Sequence, residues 1–256
     1  MKACEILEKL KSLSESPVEP TIDTFKEGDE QKEVKKAAVC FIATPSVIKA
    51  AHEWGADLII THEPTYHDHF DRFEDNFVEN EKRALLQSTG MAVFRYHDHA
   101  HRAAEDLINK GFMETLGLGY TLTKKGKAAV LDDAITPLEL AKLIEEKTGL
   151  KHVRITGKRC FPAKRLELQL GACGEVAHIP FKNDETDIVI CGETGEWKSL
   201  EFIRDAGELG HNCAALILGH VGSERDGMKY ICTIVKDLGI DARYFECGEV
   251  YSYTED

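Results

Sequence analysis

The chain has 256 residues, 43% of them hydrophobic, which is apolar material enough for one large domain or two small ones. Its formal net charge is −13, from 45 acidic against 32 basic side chains, and that balance argues against nucleic acid as a main partner, because phosphate contacts need a concentrated positive face. The eight cysteines stand far apart with no C-x-x-C pair and several fall inside apolar runs, so they read as reduced core residues rather than a disulfide framework or a zinc knuckle.

"MKACEILEKL" carries apolar residues at helical spacing and lacks the unbroken apolar centre of a signal peptide, and no later stretch is apolar enough for a bilayer; a soluble, cytoplasmic protein is expected. After this helix come turns at Pro17 and Pro20 and an exposed linker, "TFKEGDEQKEVKK". "KAAVCFIA" is a strand. "TPSVIKAAHEW" is a helix with Thr44 as cap, Pro45 at its first position and Gly55 past its end. The buried strand "ADLIIT", a helix "ENEKRALLQSTG" and the strand "MAVFRYH" follow, an alternation that predicts a parallel sheet with helical crossovers.

From about 119 to 184 the strands "KAAVLD", "KHVRITG" and "RLELQLGA" are shorter and more polar, around a helix with Thr136 and Glu139 as capping box and Gly149 as stop. This section reads as α+β. The parallel pattern returns with "TDIVIC", a helix "EWKSLEFIRDAGELG", the strand "CAALILG", a helix from Ser223 to Leu238 and a last strand near "ARYFE". The expected fold class is α/β, a single domain made of an N-terminal half (1–118), the middle section (119–184) and a C-terminal half (185–256).

Three of the buried strands end in metal-ligand residue types. "ADLIITHEP" delivers His62 and Glu63, "RYHDHAH" delivers His97, His99 and His101, and "AALILGHVGSE" delivers His220 and Glu224. In open parallel sheets the C-terminal strand ends face the ligand crevice, so one pocket is expected to receive them. Gly222 and Ser223 read as turn and cap, which would leave His220 at its strand end and Glu224 in the first helical turn. A fully extended "HDHAH" would hold His97 and His101 roughly 13 Å apart at about 3.3 Å per residue, too far for neighbouring ions, so the strand is expected to break near His99. Imidazole with carboxylate suits zinc, iron, manganese or nickel. The ligands exceed what one tetrahedral ion needs, and two bridged divalent ions would use them. His67 and His69 read as members of a solvated loop, and His52, His152, His178 and His211 as ordinary hydrogen-bonded surface groups.

These residues resemble the NIF-three-like family of dinuclear-metal proteins, also carried as type 2 homologues of GTP cyclohydrolase I. "ADLIITHEP" is similar to the family's apolar strand ending in two histidines and a proline, and "GHVGSE" to its terminal G-H-x-x-S-E motif. The resemblance implies two interleaved α/β halves, two metal ions and assembly into a homohexamer. Two positions depart from the family pattern: Glu63 stands where most members have a second histidine, and His101 where most have the bridging aspartate. The ligand types are thus exchanged, and the bridge would fall to Glu63 or Glu224. The expected function is a metal-dependent hydrolase acting on a small phosphorylated or nucleotide-like substrate, with His99 or Glu196 as proton carrier. The alternative is a non-catalytic, hexameric metal-binding scaffold.

Overall fold

The computed structural model describes residues 1–254, which form two compact units. The first comprises Met1–Leu107 with Met228–Gly248; the second comprises Ile108–Gly227 and the chain from Glu249. Among the described residues no helix is long and apolar enough to cross a membrane.

In the first unit, β1 (Phe25–Glu27), β2 (Lys36–Cys40), β3 (Leu58–Thr61), β4 (Ala92–Arg95) and β11 (Asp241–Tyr244) form one sheet in the order β1-β4-β3-β2-β11. All neighbours are parallel except the edge pair of β1 and β4. The helices are α1 (Ala3–Lys11), α2 (Pro45–Trp54), α3 (Phe77–Thr89) and the single turn α4 (Asp98–His101). Thr44 caps α2 by accepting the Val47 N–H at 3.2 Å, and Gly55 closes it in the left-handed conformation, as its side-chain-free backbone allows. Cys40, Thr61 and Arg95 lie level across β2, β3 and β4, so the residues that follow β3 and β4 leave the sheet at the same edge. Every residue of β3 and β4 is buried, the mark of strands covered on both faces.

The second unit has a six-stranded sheet of β5 (Tyr120–Thr123), β6 (Ala128–Ile135), β7 (Arg154–Gly157), β8 (Ala163–Ala172), β9 (Ile188–Glu193) and β10 (Ala214–Ile217), in the order β5-β6-β8-β9-β10-β7. β8, β9 and β10 run parallel; the other pairs are antiparallel. The period-2 alternation of β9 and β10 separates two cores. Ile188, Ile190, Ala214 and Leu216 pack with Leu140 and Ile144 of α6 (Pro137–Thr148), while Val189, Cys191, Ala215 and Ile217 pack with Ile203 of α7 (Glu201–Glu208). The strands of the middle section therefore share one sheet with those of "TDIVIC" and "CAALILG". Two further helices, α5 (Leu107–Leu116) and α8 (His220–Asp237), carry the chain from one unit into the other.

Several expectations need correction. The segment read as an exposed linker contains β1 and the buried Val34; β1 pairs with β4 from nearly seventy positions away, a partner no local pattern announces. α8 begins at His220 and not after a cap at Ser223. The Ser223 hydroxyl instead donates to the His220 carbonyl at 2.8 Å and accepts the Gly171 N–H at 2.9 Å, tying the helix start to the end of β8. Of the cysteines, Cys40, Cys191, Cys213 and Cys232 are core residues, whereas Cys160 is exposed.

Candidate metal centre

The chain breaks its extended conformation at His97, two residues earlier than expected, and α4 follows immediately. A helical turn brings residues four apart onto one face, so His97 and His101 converge, with ring centroids 4.9 Å apart. His62, the first residue past β3, completes the group: its ring lies 4.5 Å from that of His97 and 5.1 Å from that of His101. Each of the three offers one nitrogen within 4.8 Å of the others. His62 is fully buried; the other two are half-buried.

The second nitrogen of every ring is engaged. Nδ1 of His62 lies 3.1 Å from the Tyr96 carbonyl, Nδ1 of His97 3.0 Å from Asp98 Oδ1, and Nδ1 of His101 2.9 Å from Asp106 Oδ2. Carbonyl and carboxylate oxygens accept, so each Nδ1 carries the proton and each Nε2 keeps its lone pair, the tautomer a metal ligand needs. The Nε2 atoms of His62 and His101 are 3.3 Å apart. Two nitrogens bound to one tetrahedral ion at about 2.05 Å would stand about 3.3 Å apart. Burial, and then the neighbouring His97 and His101 rings, holds the His62 imidazole well below its ordinary range, keeping it neutral near pH 7. The donor set therefore fits a divalent transition metal.

Glu63 stands beside this group, with Oε1 3.9 Å from His97 Nε2 and Oε2 3.4 Å from the Arg95 guanidinium. Arg95 is 1% exposed and organises the loop after β3: Nε donates to the His62 carbonyl at 2.8 Å and Nη1 to the His69 carbonyl at 2.6 Å. Asp71, in the left-handed region at φ 56°, accepts the N–H groups of Thr65 and Tyr66 and pairs with Lys26 at 3.1 Å. The loop carrying His67 and His69 is thus exposed at both imidazoles yet anchored beneath them.

In the second unit His220 and Glu224 do form an i, i+4 pair, because α8 starts at His220: Nε2 lies 3.2 Å from Glu224 Oε2. Gly222 and Ser223, which look like a turn and cap, lie inside the helix instead of before it. Nδ1 of His220 lies 3.0 Å from Glu193 Oε1, a carboxylate at the end of β9 that was not singled out. Its only local signal is its place at a strand end. His99 is buried, with Nδ1 2.7 Å from Asp23 Oδ2. Glu196 sits in the π-helical turn Glu196–Leu200 before α7, largely exposed and paired with Arg154 at 3.1 Å. His178, expected at the surface, is buried with Nδ1 3.2 Å from the Ser199 hydroxyl.

The fold is that of an α/β protein of two mixed sheets, with a histidine cluster that could hold a metal ion. The model of the Duf34/NIF3 (NGG1p interacting factor 3) family matches residues 1–247, and the chain belongs to that family. A curated relative from Clostridium perfringens (strain 13 / Type A), "GTP cyclohydrolase 1 type 2 homolog", is 27% identical over 207 residues, 77% of this chain and 76% of its own length. Among solved structures the fold is similar to the Staphylococcus aureus hypothetical protein SA1388, with a TM-score of 0.76, 16% identity and 99% of each chain covered. It is also similar to reduced HcgD from Methanocaldococcus jannaschii, with a TM-score of 0.73, 19% identity and 96% and 97% of the two chains covered.

Proposed function

We propose that His62, His97 and His101, with Glu63, hold a divalent transition metal (zinc, iron or manganese), and that His220 and Glu224 are ligands as well, for two ions per chain. The observation that carries this reading is the tautomer pattern: three rings give their Nδ1 protons to fixed oxygens, the Nε2 atoms of His62 and His101 face each other at 3.3 Å, and each ring offers one nitrogen within 4.8 Å of the others. A bound divalent ion supplies Lewis acidity and lowers the pKa of a water at an open position. The chain's own groups hold the rings: the Asp106 and Asp98 carboxylates and the Tyr96 carbonyl orient them, and the Arg95 guanidinium lies 3.4 Å from the Glu63 carboxylate beside His97.

On this reading the protein is a metal-dependent hydrolase acting on a small phosphorylated or nucleotide-like substrate, a class the name of the Clostridium perfringens relative supports. One observation favours a second reading, a non-catalytic hexameric metal-binding scaffold. Of the two expected proton carriers, His99 is buried on Asp23 and Glu196 is ion-paired at the surface, so neither stands among the grouped donors. Metal analysis of the purified protein, followed by a screen of phosphate esters and nucleotides with and without chelator, separates the two. Chelator-sensitive hydrolysis supports the enzyme; close to two ions per chain with no turnover supports the scaffold; no metal uptake overturns both.

A further inference from the structure

Asp23 lies just outside every motif in the sequence, yet its fully buried carboxylate receives four hydrogen bonds from the histidine-bearing turn. Oδ1 accepts the N–H groups of His97 at 2.7 Å and Asp98 at 3.0 Å; Oδ2 accepts the N–H of His99 at 2.9 Å and its Nδ1 at 2.7 Å. The first N–H groups of a helical turn have no partner within the turn, and α4 has no cap from its own preceding side chain. A carboxylate more than seventy residues away does that work, with the sign of charge a helix start favours. The arrangement is reciprocal. Asp98 accepts the His97 Nδ1 proton on one oxygen, and on the other the Thr21 hydroxyl and the Ile22 N–H, each at 3.0 Å. Each segment thus ends on the other's carboxylate.

We infer that Asp23 is the positioning residue of the metal centre, setting through the start of α4 where the His97 and His101 imidazoles stand. The inference rests on the metal reading above. The four donors fill the acceptor sites of a carboxylate, and an asparagine cannot replace it: with Oδ1 on the His97 and Asp98 amides, its NH₂ would face the two His99 donors. Even with His99 in its other tautomer, the His99 backbone N–H would still meet that NH₂, so the turn would have to move, and with it His97, whose N–H leads the array.

The test compares Asp23→Asn with Asp57→Asn by cobalt(II) titration and visible absorption. Asp57 also accepts two backbone N–H groups, those of Lys35 and Lys36, but does not touch the turn. Asp23→Asn should weaken cobalt(II) binding by roughly 10- to 100-fold and change the ligand-field bands, while Asp57→Asn should lower the melting temperature and leave both unaltered. Wild-type affinity and spectrum in Asp23→Asn, or equal losses in both variants, would overturn the inference. Nitrogen NMR of the wild-type histidines decides it independently should Asp23→Asn fail to fold or the wild type bind no cobalt(II), which would fail the metal reading alone. His97 and His99 as Nδ1–H tautomers support it, and His99 as the Nε2–H tautomer overturns it.

Discussion

The Nε2 atoms of His62 and His101 face each other across 3.3 Å while each ring donates its Nδ1 proton elsewhere, to the Tyr96 carbonyl and the Asp106 carboxylate. Two neutral imidazoles so tied bring lone pair against lone pair, an arrangement a cation between them turns from repulsive to attractive. Metal affinity should therefore fall in acid, because protons compete for the same lone pairs. His97→Ala should lose most bound metal at pH 7.5. His152→Ala, whose ring packs on Tyr253 at 4.7 Å, should retain it. Equal occupancy in the two variants, by elemental analysis, would contradict the assignment.

Arg95→Met should be costly even though the side chain lies outside the cluster. The guanidinium holds the carbonyls of His62 and His69 and lies 3.4 Å from the buried Asp71. Lys26 remains as a partner for Asp71, so the expected loss is about 3 kcal/mol, near the lower end for a broken buried pair. Thermal unfolding measures it. Limited proteolysis should find new cleavage between residues 63 and 76.

Gly171 lies at φ +72°, and a Cβ there would run into the Glu224 carboxylate. Gly171→Ala should cost about 1–2 kcal/mol for the left-handed backbone alone and also displace Glu224. The displacement is read by metal content: occupancy should fall in Gly171→Ala and stay unchanged in Gly149→Ala, where the backbone is equally left-handed but the added Cβ meets nothing.

Asp187 joins β9 to β8 by accepting the N–H groups of Lys164 and Arg165 and pairing with the Arg165 guanidinium. Burial works against its ionisation, but the Arg165 guanidinium and the two N–H groups overcome it and hold the carboxyl below its usual range. A carboxyl depressed in the fold stabilises above its unfolded pKa of about 3.9, and that contribution is lost as pH falls through the lower folded value. Asp187→Asn should thus cost roughly 1–2 kcal/mol at pH 7 in urea unfolding, with the difference from wild type shrinking below about pH 4. A gap that widens with acid would contradict the sign.

The elements whose start and stop are written locally were legible in the sequence: α2 between Thr44 and Gly55, and α6 between its Thr136–Glu139 capping box and Gly149. The strand-end histidines were legible too, since a buried apolar run followed by His62, or by His97 and His101, places them at one sheet edge whatever the crossover. β1 was hidden because its three residues are only half-buried and its partner is distant in sequence. Asp23, which holds the turn, was hidden for the same reason, lying more than seventy residues before it. Asp106 and Asp23 act on the turn from outside it, and only the folded chain shows that a carboxylate beside β1 caps "DHAH". The start of α8 at His220 was misplaced because Gly222 and Ser223 look like turn and cap, while the Ser223 hydroxyl is spent on Gly171 and on its own helix.

X-ray absorption at the zinc edge, on wild-type protein loaded with zinc and freed of excess, tests the central claim most directly. The account predicts nitrogen scatterers at about 2.0–2.1 Å with the outer-shell pattern of at least two imidazoles, and loss of part of that pattern in His101→Ala. Zinc surrounded by oxygen alone, or an unchanged imidazole signal in His101→Ala, would contradict it.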